Sequence, residues 1–255
     1  METFRSGGIA IAYDDIGAGD ARCVVLVHGF ATNRAENWKR LGWYSAVERA
    51  GYRLVALDLR GHGQSDKPHD AAAYSAEAMA GDVIGLMDHL NLRRVNLIGY
   101  SMGSHLSARI ALAAPERIDH LVLGGVGARL LHPLPSRDGM TMGEALRTDD
   151  PTVIADPILR GFRQFAENQG EDRLALAACS EGSGERLGES DLAAIRVPTL
   201  VVTGSRDDIA GDPQVLADAI LGAKCVTLPA CDHFTAIPHA LFKAAVFDFL
   251  EGWEE

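Results

Sequence analysis

The sequence predicts an α/β fold: a mostly parallel central sheet flanked by helices, with a helical insertion late in the chain. Three observations predict it. Short apolar runs such as Cys23–Val27 lack the in-and-out alternation of a half-exposed strand, as expected of strands covered on both faces. Segments with apolar residues at helical spacing alternate with these runs, which is the pattern of a parallel sheet with crossover helices. Polar, glycine-containing turns follow several of the runs, and in such sheets ligands sit beyond the carboxyl ends of the strands.

Taken in order, the first strand is expected over 8–13, and the turn Gly17-Ala18-Gly19-Asp20 leads to the strand Cys23–Val27. His28-Gly29-Phe30 and a polar loop over 31–36 come next. A helix is expected over about 37–50, ended by Gly51, then the strand Arg53–Leu57 and the loop carrying Arg60-Gly61-His62-Gly63. Ser75 reads as the N-cap of a helix reaching about residue 90, with Glu77 and Asp82 placed for its dipole. Val95, Leu97 and Ile98 form a strand ending in Gly99, and residue 102 opens a helix that Pro115 halts. A further strand covers 118–123.

From 128 to 195 the rhythm changes. No strand-like run occurs there, while Asp150-Pro151 and Asp156-Pro157 each place a capping carboxylate before a proline suited to a helix's first position. Residues 1–127 and 196–255 are therefore read as the α/β core and 128–195 as a helical cap. Strands resume at 197–203 and 224–228, the loop Cys231-Asp232-His233-Phe234 follows, and Pro238 is expected to open a last helix reaching about residue 252.

At 255 residues the chain can bury one substantial core. Its net charge of −11 lacks the basic face needed to grip nucleic acid or an anionic membrane. The amino-terminal segment has no signal-peptide pattern and no run reaches membrane-spanning length, so a cytoplasmic protein is expected. Four cysteines without CxxC spacing are read as reduced, mostly buried thiols. No lysine precedes Ser or Thr, and neither GxGxxG nor HExxH occurs, so no nucleotide cofactor or metal is expected.

Gly99-Tyr100-Ser101-Met102-Gly103 places a serine on the turn between a buried strand and a helix, with glycines two residues either side where the backbones approach. A serine hydroxyl needs a base to take its proton and a third group to orient that base. With HGF after one strand, LDLRGHGQSD after the next, then GYSMG, VPTLVVTGSRDD and CDHF, the chain resembles the α/β-hydrolase family over nearly its whole length. The resemblance implies Ser101 as nucleophile, His233 as general base and acid, and Asp207 as the orienting carboxylate. Asp208 competes with Asp207, and His239 with His233. It also implies the backbone amides of Phe30 and Met102 as the oxyanion hole. His28 and the Arg60–Gly63 loop are read as structural, and His69, His89, His120 and His132 as surface or loop residues. His105 lies one turn into the helix after Ser101.

These readings lead to a serine hydrolase that cleaves a small ester through an acyl-enzyme, with activity falling as the base protonates below about pH 6 to 7. Carbon-carbon hydrolases of dienoic diketones, perhydrolases and lactonases share the triad, though the carbon-carbon enzymes commonly read GNSMG where this chain has Tyr100. A ligand-sensing protein that keeps the triad is the non-enzymatic alternative. Leu130, Leu131, Leu134, Met140, Met142, Phe162 and Phe165 are candidates to shape the pocket, with Trp38 and Trp43 as a further wall or as core.

Overall fold

Every residue of the run Cys23–Val27 is buried, as are all six of Val95–Tyr100, and these two segments form the middle of the sheet. The computed structural model describes residues 1–132, 139–182 and 186–252. Among them the strands are β1 (Glu2–Ser6), β2 (Ile9–Ile16), β3 (Cys23–Val27), β4 (Arg53–Leu57), β5 (Val95–Tyr100), β6 (Ile118–Gly124), β7 (Thr199–Gly204) and β8 (Lys224–Leu228). They form one sheet in the order β1-β2-β4-β3-β5-β6-β7-β8. The pairings of β1 with β2 and β2 with β4 are antiparallel, and the remaining five are parallel.

The helices are α1 (Trp43–Arg49), α2 (Ala76–His89), α3 (Met102–Ala113), α4 (Ala128–Leu131), α5 (Met142–Arg147), α6 (Pro157–Gln169), α7 (Arg173–Gly182), α8 (Glu189–Leu192), α9 (Pro213–Asp218) and α10 (Ala240–Leu250). One face of the sheet packs against α2 and α3 through Met79, Val83, Leu106 and Ile110. The other packs against α1 and α10 through Trp43, Val47, Phe242 and Val246. Trp38 and Trp43 are fully buried here, edge to face at 5.4 Å, so both belong to the core. Between β6 and β7 the regular elements among the described residues are all helical. Leu146, Ala166, Leu176 and Ala177 from α5, α6 and α7 cluster with Ala31, in the loop after β3.

Strand order reverses around β3: the chain steps from β3 to β4 on one side, then crosses to β5 on the other. That switch opens a crevice at the carboxyl ends of β3 and β5. Val27 and Gly99 are paired in register there, so the loops carrying Phe30 and Ser101 emerge side by side.

Four expectations need correction. The chain begins with β1, which sequence reading missed, and the first predicted strand is in fact β2. Gly7 and Gly8, with φ of +55° and +89°, form the hairpin turn between them. In place of one helix over 37–50 there is a π-helical turn (Ala35–Lys39) and then α1, because Gly42 adopts φ +79° and ends the first winding. The last helix starts at Ala240 rather than Pro238. His239, expected within it, is its N-cap, with the ring accepting from the Leu241 amide at 3.2 Å. The helix α9 between β7 and β8 was not foreseen. Ser75 does cap α2, its hydroxyl accepting from the Ala78 amide at 3.1 Å. Leu134, one of the pocket candidates, lies outside the described residues.

Candidate active site

Ser101 sits between β5 and α3 with φ +52° and ψ −116°, a conformation that L-residues rarely adopt and that stores about 1 to 3 kcal/mol of strain. Its amide donates to Gly124 O at 2.8 Å and its carbonyl accepts from Ser104 N at 2.9 Å, which fixes the turn from both sides. The flanking glycines are obligatory. A Cβ on Gly103 would lie 2.1 Å from Val27 O, and one on Gly99 would lie 2.4 Å from Gly103 O. Although serine is a favoured N-cap, this hydroxyl makes no capping bond to α3.

That hydroxyl meets His233 instead. Ser101 Oγ is 3.0 Å from His233 Nε2, and His233 Nδ1 is 2.9 Å from Asp207 Oδ2 and 3.1 Å from Oδ1. Asp207 Oδ1 also accepts from the Ala210 amide at 2.9 Å. Because an ionised carboxylate only accepts, it holds the proton of a neutral His233 on Nδ1 and leaves Nε2 as the acceptor facing Ser101. Both Asp207 and His233 are buried. Their loops are locked together: Arg206 N donates to Cys231 O at 2.9 Å, and a Cβ on Gly204 would strike that same carbonyl at 2.1 Å. From beneath, the Tyr100 hydroxyl donates to His233 O, and burial raises that phenol well above the usual tyrosine value. Of the alternatives left open by the sequence, Asp208 is exposed at the mouth and His239 caps α10.

The loop after β3 runs against the serine, since a Cβ on Gly29 would sit 3.4 Å from Ser101 Cβ. Met102 opens α3, so its amide has no partner a turn earlier and lies at the positive end of the helix. His28 ties the loop down, with Nδ1 2.7 Å from Gly29 O and Nε2 accepting from Leu59 N at 2.9 Å. Asp58, a strand-end residue, is buried away from the serine; it accepts from the Arg34 side chain and from the amides of Arg34 and Gln64, both bonds to amides being short and direct. The glycines of Arg60–Gly63 pack on Tyr74 and Asp58, so that loop is internal structure.

Burial pulls His28 down to about 4 and His62 to about 3. Each ring is thus neutral in the folded protein but ionises in the unfolded chain below about pH 6.5. The unfolded state then binds more protons, so stability present above pH 6.5 is lost as pH falls toward 4 and below. The urea midpoint is expected to drop between pH 6.5 and 5, above the range of ordinary carboxylates. A constant midpoint across that window would contradict the burial of these two imidazoles.

Two cavities meet at Ser101 and Phe30. The larger, about 500 Å³, is lined by Met79, Met102, Leu106, Leu130 and Met142, together with His105, Arg109, Arg129, Arg186 and Asp208. The smaller, about 180 Å³, is lined by Tyr100, Phe162, Phe165, His233, Phe234 and Ile237 among others. Of the sequence candidates for the pocket, Leu130, Met142, Phe162 and Phe165 face these spaces, whereas Leu131 packs on the main core and Met140 on a small cluster with Ile154 and Leu159. The arginines and Asp208 were missed as pocket residues. One signal was available: His105 and Arg109 follow Ser101 at intervals of four along α3, hence on one helical face.

The chain matches the family description "alpha/beta hydrolase fold" over residues 22–177. It belongs to the α/β-hydrolase family. It is 31% identical over 96% of its length to the 2-hydroxy-6-oxononadienedioate/2-hydroxy-6-oxononatrienedioate hydrolase of Paraburkholderia xenovorans, covering 91% of that protein. Among solved structures, a hydrolase from Pseudomonas aeruginosa superposes with a TM-score of 0.76 at 27% identity, over 98% of this chain and 97% of that one. The enol-lactonase from Burkholderia xenovorans gives 0.78 at 26%, over 98% and 100%. For this α/β-hydrolase, the comparisons support hydrolysis as the activity class.

Proposed function

We propose that this α/β-hydrolase is a serine esterase acting through an acyl-enzyme, and the observation that carries the proposal is the Ser101–His233–Asp207 chain of contacts at 3.0 and 2.9 Å. Ser101 Oγ attacks the ester carbonyl while His233 Nε2 takes its proton, and Asp207 stabilises the resulting imidazolium. The carbonyl oxygen, now an anion, is received by the amides of Phe30 and Met102; losing one such donor costs about 2.7 to 4 kcal/mol of transition-state stabilisation. His233 then protonates the departing alcohol, and a water activated by the same ring releases the acid. Residues 128–195 act as the cap over this chemistry, and the partner is a small molecule.

The linings of the two cavities support an assignment of the two halves of the ester. His233 lines the smaller space and not the larger, whereas Met102 lines the larger. The group that receives the proton from His233 must leave on the histidine side, so the alcohol occupies the aromatic 180 Å³ cavity and the acyl chain the 500 Å³ one. Extending the acyl part of a phenyl ester from acetate to hexanoate should raise kcat/KM. Enlarging the alcohol from phenol to 4-phenylphenol should lower it about tenfold or more, the scale on which pocket fit discriminates. The reverse order of preference would refute the assignment.

A second reading, cleavage of a carbon-carbon bond in a dienoic diketone, is favoured by the name of the Paraburkholderia relative. Assaying a dienoate diketone beside the phenyl esters separates the two. Turnover of the diketone with no ester hydrolysed would overturn the esterase proposal.

A further inference from the structure

The larger cavity carries a charge pattern that ester cleavage does not require. The whole chain has 35 acidic against 24 basic residues. Among the described residues lining this cavity, however, stand three guanidinium groups, Arg109, Arg129 and Arg186, against one carboxylate, the exposed Asp208. Arg109 is engaged by Glu77 at 3.4 Å. Among the described residues Arg129 and Arg186 have no ion-pair partner, and the buried Arg129 Nε has no hydrogen-bond acceptor there. A buried guanidinium nitrogen without an acceptor is costly, and a bound anion that draws the side chain toward the cavity would offset that cost.

Arg129 is also held in place. Its amide donates to Ala210 O at 2.9 Å, and the preceding Ala128 amide donates to Asp212 O at 2.8 Å. Its side-chain stem packs over Gly211, where an added Cβ would approach Arg129 Cγ to 3.1 Å. The loop that presents Asp207 to His233 thus positions Arg129 on the acyl side of the same site. Nearby His105 is drawn down to about 4 by burial, with Arg186 and Arg109 adding to the effect, so it is a neutral ring that leaves the cationic pattern intact near pH 7.

We propose that the acyl half of the substrate ends in a free carboxylate, received in the large cavity by Arg129 and Arg186, so that the ester is a half-ester of a dicarboxylic acid. The carboxylate supplies acceptors for forked guanidinium donors and neutralises the cationic wall, while Met79, Leu106, Leu130 and Met142 cover the methylene chain between the two ends. The proposal rests on the reading of Ser101 as nucleophile only in assigning this carboxylate to the acyl half.

The test compares phenyl hydrogen adipate with its uncharged isostere, phenyl 6-methylheptanoate, in the wild type and in Arg129→Gln and Arg186→Gln. In the wild type at low salt the anionic ester should be favoured in kcat/KM by about ten- to a hundredfold, the scale of hydrogen bonds to a charged group. Each substitution should shrink that ratio about tenfold or more, chiefly through KM. Binding of adipate and hexanoate to Ser101→Ala, followed by calorimetry, reads the cavity without turnover, and adipate should bind at least about tenfold tighter. Equal handling of charged and uncharged esters with equal binding of the two acids would overturn the anion site while leaving the esterase intact. Tight adipate binding with no ester hydrolysed would do the reverse.

Discussion

Replacing Ser101 by alanine is expected to lower kcat/KM for a phenyl ester by about 10,000- to 1,000,000-fold, because no other hydroxyl occupies the elbow and the triad acts as a unit. The fold should survive. Ser101 Oγ makes no capping bond to α3, and its contact with His233 lies at the edge of a cavity rather than within a core cluster. Thermal denaturation should therefore give a midpoint close to that of the parent. Ser101→Gly sharpens the test: at φ +52° a glycine carries no Cβ penalty, so the strain of about 1 to 3 kcal/mol is relieved. That variant is expected to be equally inactive yet at least as stable as the parent. An inactive and unfolded pair of variants would mean that the serine is structural.

Replacing Asp207 by asparagine is expected to lower kcat by about 1,000- to 10,000-fold, with little change in KM. The geometry gives the reason. Asp207 Oδ1 accepts from the Ala210 amide, so an asparagine keeps its carbonyl oxygen there and turns its NH2 toward His233 Nδ1. That nitrogen must then accept, the ring proton moves to Nε2, and the face toward Ser101 becomes a donor that cannot take the hydroxyl proton. Asp208→Asn is the control. Its carboxylate is exposed and makes no contact with His233 among the described residues, so the loss should be far smaller. Comparable losses in the two variants would contradict the tautomer account.

How much of this was legible in the sequence depends on whether a signal is local. The runs Cys23–Val27 and 200–202 announce themselves because burial on both faces demands unbroken apolar residues. β1 is silent because it is an edge strand with one buried side chain, Phe4, among five residues. The break before α1 is set by one left-handed glycine, Gly42, inside an otherwise helical pattern. Ser101 could be placed from its own neighbours, Gly99 and Gly103, whose lack of side chains the backbone requires. His233 and Asp207 needed the rule that polar residues gather beyond strand ends, together with family resemblance. Arg129 and Arg186 carried no local mark at all. Each is an ordinary basic residue in sequence, and only the packing of the helical segment against the loop after β7 brings them to one cavity.

In the proposed mechanism His233 and Asp207 make Ser101, alone among the hydroxyls of the chain, a nucleophile. Intact-mass measurement after treatment with a fluorophosphonate, followed by peptide mapping, tests it most directly. The account predicts one adduct per chain, on Ser101, absent in Ser101→Ala and strongly slowed in His233→Ala. A parent protein left unmodified, or an adduct mapped to any other residue, would contradict it.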